Sequence, residues 1–371
     1  MRTAVISDLH LGLGSGGDLA RRESFRELLL AELEDVDRLV LLGDVLELRD
    51  RPLTEVLEAC APALAGIGEA FAERELVIVP GNHDHHLIEP WLERRGLDGS
   101  PSLGLEQSGS PEGTAFETVA ELAAPAKPRF AYPGLWLRED VYATHGHYLD
   151  RFLTVPTIER LGLAMVERVL GLPSGGQDPL APPDERSTHD VEEYERVQTP
   201  VYAFLYELAQ ATARGRRRDA SPSTRIWQML GGGDTPSARL RGWLLGSVAV
   251  PGAVGVANRL GLGPVRSDLS AGAIAEAGFE AMAEVAERLA IGARHLIFGH
   301  THRRGTARVQ GPTRLLNTGS WVHAPGLLGS TAAESTYWPG SICVVDEAGE
   351  PELRHALDGL SRDELGADPP M

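Results

Sequence analysis

Residues 3–10 read Thr-Ala-Val-Ile-Ser-Asp-Leu-His: a short apolar run that ends in an aspartate and a histidine two positions apart. Two more apolar runs, residues 39–42 and 76–79, lead into Gly43-Asp44 and into Gly81-Asn82-His83-Asp84. Helical patterns separate the three runs. This alternation predicts an α/β fold built of βαβ units, with the polar side chains at the carboxyl ends of the strands.

Two histidine-rich segments follow later strand-like runs. His145-Gly146-His147 comes after residues 141–143, and Gly299-His300-Thr301-His302 comes after residues 295–298. Side chains at positions i and i+2 of an extended chain point the same way, so we expect Asp8 with His10, and His300 with His302, each to converge on one point. The glycines that precede Asp44, Asn82 and His300 are expected to leave space for a sharp turn and for substrate.

Each of these five segments is a weak signal alone, because Gly-Asn is common in turns and single histidines are common in cores. Together they place oxygen and imidazole ligands, in a consistent order, after successive strands. Two divalent cations held close together need such ligands, including one carboxylate that can bridge them. The sequence therefore predicts a dinuclear metal site.

The pattern changes between residues 150 and 293, where helical segments dominate and a Pro- and Gly-rich linker covers residues 172–183. Strand-like runs resume after residue 294. We therefore expect a mostly helical insertion within the catalytic domain. Residues 96–128, rich in Gly, Ser, Pro and Ala, are expected to form a loop or a partly ordered insertion.

Composition and net charge argue against some classes of protein. The 371 residues carry a formal net charge of −18, and an acidic surface repels nucleic acid backbones. The two cysteines, Cys60 and Cys343, lie in unrelated contexts and indicate no disulfide framework. The amino terminus enters a strand directly, without a signal-peptide pattern. These features predict a cytoplasmic protein with no nucleic acid partner.

The ordered set of motifs resembles the calcineurin-like metallophosphoesterase superfamily over residues 1–149 and 294–357. The resemblance implies a four-layer αββα sandwich with a large, mostly helical insertion. It assigns residues 1–149 and 294–371 to the catalytic domain and residues 150–293 to an insertion or lid.

The resemblance also implies site residues, with Asp44 shared by two metals. One metal would be bound by Asp8, His10, Asp44 and His302, and the other by Asp44, Asn82, His145 and His300. His83 would stabilise the transition state or protonate the leaving oxygen, and Asp84 could orient His83. His147, Asn317 and His323 are candidates for substrate contact or for support of the ligands.

The implied reaction is hydrolysis of a phosphomonoester, phosphodiester or pyrophosphate bond by a hydroxide that bridges two divalent metal ions. Manganese is the expected metal, with iron, zinc or cobalt as alternatives. The nearest branch in pattern contains the bacterial UDP-2,3-diacylglucosamine pyrophosphatases, in which an arginine typically stands where this chain has His83. The competing hypotheses are that the protein is a nuclease or a catalytically silent scaffold.

The predicted insertion carries one membrane signal. Residues 242–258 form an uncharged run of 17 residues, shorter than the roughly 20 that span a bilayer. A buried helical hairpin or oligomer contact and an interfacial anchor are both compatible with this run. The basic run at residues 214–218 could be a solvated loop or meet an anionic lipid. The expected partner is a small-molecule or lipid-linked phosphate, and the oligomeric state is open.

Overall fold

The protein is represented by a computed structural model that describes residues 1–98, 100–109, 113–155, 157–170, 190–213, 271–309 and 311–367. Three predicted features lie outside the described residues: the linker at residues 172–183, the basic run at residues 214–218 and the uncharged run at residues 242–258.

Eleven strands are described, and five of them coincide with the five apolar runs that the sequence analysis identified. They are β1 (Thr3–Ile6), β2 (Arg38–Leu42), β3 (Glu75–Val79), β4 (Glu106–Gly109), β5 (Arg129–Arg138), β6 (Val141–Thr144), β7 (His295–Phe298), β8 (Gly305–Ala307), β9 (Arg314–Asn317), β10 (Ser341–Val345) and β11 (Glu352–His355).

Eight α-helices lie in the described ranges. They are α1 (Glu23–Glu32), α2 (Leu53–Ala70), α3 (Glu89–Asp98), α4 (Ala115–Leu122), α5 (Ile158–Val169), α6 (Val191–Ala213), α7 (Ala271–Arg288) and α8 (Arg362–Gly366). None of them combines the length and the apolar character that crossing a bilayer requires, as far as the described ranges extend.

The strands form two sheets that share β5. The first sheet has the order β11-β10-β1-β2-β3-β5, with β4 paired to β5, and its central strands β1, β2 and β3 are parallel. The second sheet has the order β5-β6-β7-β9-β8, with β6, β7 and β9 parallel. The first half of β5 pairs with β3, and the half that begins at Gly134 pairs with β6. The predicted βαβ arrangement is confirmed.

Alternate residues of the strands enter two different cores, as the two-residue period of a strand requires. Ala4 and Ile6 of β1 pack in a core with Phe25 of α1 and Cys60 of α2. Val5, between them, belongs to a second core. That core joins both sheets face to face and contains Val5, Val40, Leu42, Val77, Val79, Ala131, Leu135, Val141, Ala143, Ile297, Leu316, Cys343 and Val345. A helical layer, the first sheet and the second sheet are therefore stacked in that order.

The chain divides into two compact units. The first contains residues Met1–Gly146, Tyr202–Asp219 and Ala293–Met371, and the second contains residues His147–Val201 and Ala220–Gly292. The second unit is helical in its described part and buries an ion pair between Arg151 and Glu167, whose side chains are both fully buried. Helix α6 begins in the second unit and ends in the first. The predicted domain boundaries at residues 149/150 and 293/294 remain a prediction.

The expectation of a loop for residues 96–128 is wrong in part. Strand β4 pairs with β5, and helix α4 begins at a cap in which the Thr114 side chain accepts from the backbone N–H of Phe116. Phe116 and Val119 are buried, and the ring of Phe116 meets that of Phe130 edge-on at 5.8 Å. Two buried side chains one turn apart make this segment part of the core, despite its loop-like composition.

Replacing Phe116 with alanine tests that assignment. Phe116→Ala is expected to lower the free energy of unfolding by about 3–5 kcal/mol, because it leaves a cavity between α4 and β5. Thr118→Ala, an exposed position on the same helix, is the matched control and should change it by less than about 0.5 kcal/mol. Equal effects of the two variants in guanidinium denaturation would show that α4 does not support the core.

Candidate metal centre

The candidate ligands lie directly after the carboxyl ends of five parallel strands. β1, β2 and β3 of the first sheet lead into Asp8, Asp44 and Asn82, and β6 and β7 of the second sheet lead into His145 and His300. Because the carboxyl ends of parallel strands meet at one edge of a sheet, residues far apart in the chain become neighbours there.

The backbone at this edge is strained. Asp8, His10, Asp44, His300 and His302 have φ values of 55°, 44°, 51°, 66° and 57°, in the left-handed region that side chains other than glycine rarely adopt. Among the described residues only one other non-glycine residue, Ala290, shares this property. Strain of this kind persists where the surrounding structure enforces it, and it clusters at functional sites.

The pairs Asp8/His10 and His300/His302 therefore converge for a reason other than the predicted one. They are not extended, so strand alternation does not direct them. The backbone N–H groups of Asp8 and His10 instead donate to the carbonyls of Gly43 and Asp44, at 3.0 and 2.8 Å. These hydrogen bonds hold the turn after β1 against the turn after β2.

Three glycines leave space for ligands rather than for substrate. A Cβ at Gly43 would lie 2.2 Å from Nδ1 of His145, and one at Gly81 would lie 2.4 Å from Oδ1 of Asp44. A Cβ at Gly299 would lie 2.4 Å from Oδ2 of Asp8. Since real contacts are never this short, any side chain here would push candidate ligands apart.

The first ligand group consists of Asp8, His10, Asp44 and His302. Nε2 of His302 lies 3.2 Å from Oδ1 of Asp8 and 3.0 Å from Nε2 of His10. Nε2 of His10 lies 3.6 Å from Oδ2 of Asp44. Ligands about 2.1 Å from one cation and at right angles are separated by about 3 Å, so these spacings suit a single ion.

The second group consists of Asp44, His145 and His300, with Asn82 between them. Oδ1 of Asn82 lies 3.1 Å from Nε2 of His145 and 3.0 Å from Nδ1 of His300. Nε2 of His145 lies 3.3 Å from Oδ2 of Asp44. The same carboxylate oxygen of Asp44 thus faces both groups, which is the arrangement of a bridging ligand.

Two observations fit these groups to cations. Oδ1 of Asp8 is buried without a hydrogen bond, and a buried carboxylate oxygen in that state is unfavourable unless a positive charge compensates it. Hydrogen bonding alone would turn the Asn82 amide so that its nitrogen donates to His145, His300 and Asp44 and its oxygen accepts from Arg49. A cation favours the orientation seen here, in which the oxygen faces the imidazoles.

The pKa values of the buried groups also indicate that the centre favours bound positive charge. Burial raises the pKa of Asp44, but the imidazoles of His145 and His83 outweigh burial and hold this pKa well below its ordinary value. Burial lowers the pKa of His145, but Asp44 and Asp8 raise it to about 10. The buried carboxylates therefore attract positive charge strongly, and protons and divalent ions compete for the same imidazole lone pairs.

Glu47 is a site residue that the sequence analysis missed. Its buried carboxylate lies 2.9 Å from Nδ1 of His10 and 2.8 Å from Nδ1 of His83. A carboxylate behind a metal-binding imidazole fixes its tautomer and leaves Nε2 free to bind. Its position three residues after Asp44, on the same turn, is a signal that could have indicated it.

The predicted role of Asp84 as the partner of His83 is wrong, because Glu47 occupies that place. Oδ2 of Asp84 accepts from the backbone N–H groups of Val45 and Leu46 at 2.8 and 3.3 Å, and Oδ1 accepts from that of Gly81 at 2.6 Å. Asp84 therefore joins the turn after β3 to the turn after β2. His83 itself lies at the rim of the first group, with its ring 4.6 Å from that of His10.

The other three predicted site residues lie outside these groups. Asn317 donates to the carbonyl of Gly299 at 3.0 Å and to Oγ1 of Thr301 at 2.9 Å, so it braces the turn that carries His300. His147 belongs to the second unit, where its ring contacts Tyr148. The ring of His323 lies beside Gly366 at the carboxyl-terminal helix.

Comparisons with known proteins indicate the family of the chain. The family model described as calcineurin-like phosphoesterase matches residues 1–192. A solved dimetal phosphatase from Danio rerio is similar at 13% identity, with 95% of this chain and 98% of that chain covered and a TM-score of 0.37. No curated protein matches the chain.

The fold and the site define a hydrolase that acts on phosphoric esters with the help of divalent metal ions. The chain belongs to the calcineurin-like phosphoesterase family. The predicted fold class and enzyme class are thereby confirmed, whereas the pyrophosphatase branch is not.

Substituting Asp44 tests the shared ligand. Asp44→Asn is expected to lower the affinity for each of the two ions by about tenfold or more, because Oδ2 of Asp44 faces both groups. His302→Ala removes a ligand from the first group only and should leave one ion bound. The measurement is metal content after gel filtration. If Asp44→Asn lost a single ion and His302→Ala lost both, Asp44 would not be the shared residue.

Proposed function

We propose that the chain is a dinuclear metal-dependent phosphoesterase whose two ions are held by the groups that meet at Asp44. The observation that carries this proposal is the Oδ2 atom of Asp44, which lies 3.6 Å from Nε2 of His10 and 3.3 Å from Nε2 of His145. One group would use Asp8, His10, Asp44 and His302. The other would use Asp44, Asn82, His145 and His300. Manganese is the proposed metal, since mixed oxygen and imidazole ligands suit it.

Bound divalent ions would supply an activated water at neutral pH and neutralise the charge on the phosphate oxygens. His83 would stand beside the reacting phosphate and donate a proton to the leaving oxygen. Its Nδ1 contacts the Glu47 carboxylate at 2.8 Å, which directs Nε2 away from Glu47. The side chain keeps 16% of its surface exposed, so substrate can reach it, whereas Glu47 is buried behind it.

The proposed substrate is a phosphate ester or anhydride of a small or lipid-linked molecule. The net charge of −18 disfavours nucleic acid, and no basic groove was evident in the sequence. Both cysteines are buried and unpaired in the structure, which supports the proposed cytoplasmic location.

Hydrolysis by the metal-loaded protein is the direct test. With Mn²⁺ it is expected to cleave at least one member of a panel containing 4-nitrophenyl phosphate, bis(4-nitrophenyl) phosphate, a UDP-sugar and a single-stranded oligonucleotide. EDTA should abolish the activity and added Mn²⁺ restore it. Cleavage of the oligonucleotide alone would support the nuclease alternative. A protein that holds two ions and cleaves nothing would support the scaffold alternative.

The proton donor is tested by changing the leaving group. His83→Gln is expected to lower kcat about 100-fold for phenyl phosphate, and much less for 4-nitrophenyl phosphate, because nitrophenolate leaves without a proton. His323→Gln is the matched control and should leave both rates within twofold of the unsubstituted enzyme. Metal content should stay unchanged in both variants. Equal losses on the two substrates would remove His83 from the role of proton donor.

A further inference from the structure

The second half of helix α6 belongs to the compact unit that holds the metal centre. The sequence assigned all of residues 191–213 to the insertion, yet Tyr202 and the residues that follow it cluster with the two sheets. The helix is continuous from Val191 to Ala213 and carries Pro200 just before this point. Its last three turns therefore have a separate structural role from its first turns.

Gln210 binds the loop that follows Glu47. Its Nε2 donates to the carbonyls of Leu48 and Arg51 at 3.3 and 3.2 Å, and its Oε1 accepts from the backbone N–H of Leu53 at 3.0 Å. Three hydrogen bonds from one amide fix the path of residues 48–52, the segment between the Asp44 turn and helix α2, together with the first residue of that helix. This loop has no strand or helix of its own to hold it.

Tyr202 contacts the side chain that this loop presents to the metal centre. The Arg49 guanidinium carbon lies 5.1 Å from the centre of the Tyr202 ring, within the range of a cation–π interaction. Nη2 of Arg49 donates to the backbone carbonyl of Asn82 at 2.6 Å, and its backbone N–H donates to Oε1 of Glu47 at 3.0 Å. Arg49 is only 9% exposed, so solvent does not screen these contacts strongly.

A second contact of the helix reaches the same turn. The ring of Tyr206 stacks on that of His86, with 3.8 Å between their centres and 13° between their planes. Nδ1 of His86 lies 3.0 Å from the Glu89 carboxylate, which holds the imidazole in place. The helix therefore contacts the Asn82 turn through Arg49 and the residues just after this turn through His86.

We propose that the second half of α6 is a positioning element for the second ion. Gln210 holds the loop that carries Arg49, and Tyr202 contacts the Arg49 side chain. Arg49 in turn holds the backbone of Asn82, whose amide oxygen lies between His145 and His300. Arg49 contacts the support of the first group through its backbone N–H, which donates to Glu47 behind His10 and is kept when the Arg49 side chain is replaced. The inference rests on the proposed dinuclear function. Arg49 is a positioning residue that acts through Asn82 and does not touch the reacting phosphate.

Arg49→Met removes the side-chain hydrogen bond to the Asn82 carbonyl but keeps the backbone bond to Glu47 and an unbranched side chain. The variant is expected to lower the affinity for the Mn²⁺ ion of the second group about tenfold or more, as happens when a residue behind a ligand is lost. The affinity for the ion of the first group should fall by less than twofold. At the Mn²⁺ concentration at which the unsubstituted protein retains two ions, Arg49→Met should retain about one. Arg51→Met, in the same loop and bonded to the carbonyl of Gly14, is the matched control and should retain two.

Two further variants keep the proposal testable if Arg49→Met fails to fold. Gln210→Met should lower the affinity for the second ion by threefold or more. Gln198 lies on the same helix and donates to the carbonyl of His147, and Gln198→Met should leave this affinity unchanged. In a protein that already carries Asn82→Ala, Arg49→Met should lower the affinity for the second ion by less than a further twofold, because the two residues act together.

The outcomes separate this inference from the proposed function. Fewer than two ions in the unsubstituted protein would overturn both. Two ions in that protein, together with unchanged binding in Arg49→Met and Gln210→Met, would overturn the positioning role alone. Parallel loss of both ions, or the same loss in the Arg51→Met control, would also overturn it, because it would show a general loss of structure.

Discussion

The carboxylate of Asp44 lies where two groups of ligand side chains meet, and the surrounding structure is arranged to keep it there. It is buried, its backbone is in the left-handed conformation, and its Oδ2 atom faces imidazoles from both groups. Burying such a charge is unfavourable unless opposite charge compensates it. The carboxylates and imidazoles around it satisfy that requirement only when positive charge is bound among them, which is a property that a metal site requires.

The two-sheet architecture serves this convergence. Asp8, Asp44 and Asn82 come from the first sheet, and His145 and His300 come from the second, so neither sheet could form the centre alone. Strand β5 belongs to both sheets and connects them covalently, and the shared apolar core fixes their separation. Glycines at positions 43, 81 and 299 then allow the turns to approach closely enough for ligands to share one ion.

Much of this could be predicted from the sequence, because apolar runs followed by Asp, Asn and His are local signals. The five strands that precede ligand turns and seven of the converging side chains were readable in this way. Three features were not. The left-handed backbone of the ligand turns, the contact of Glu47 with two histidines and the return of α6 to the first unit all depend on contacts between distant residues. Residues 96–128 were misjudged because their composition conceals Phe116 and Val119, which are buried.

Anomalous diffraction from crystals of the Mn²⁺-loaded protein would test the central claim most directly. The account predicts two peaks at the manganese edge, about 3.5–4 Å apart, with Oδ2 of Asp44 between them. One peak should lie among Asp8, His10 and His302, and the other among Asn82, His145 and His300. A single peak, or two peaks that do not share Asp44, would contradict the dinuclear centre.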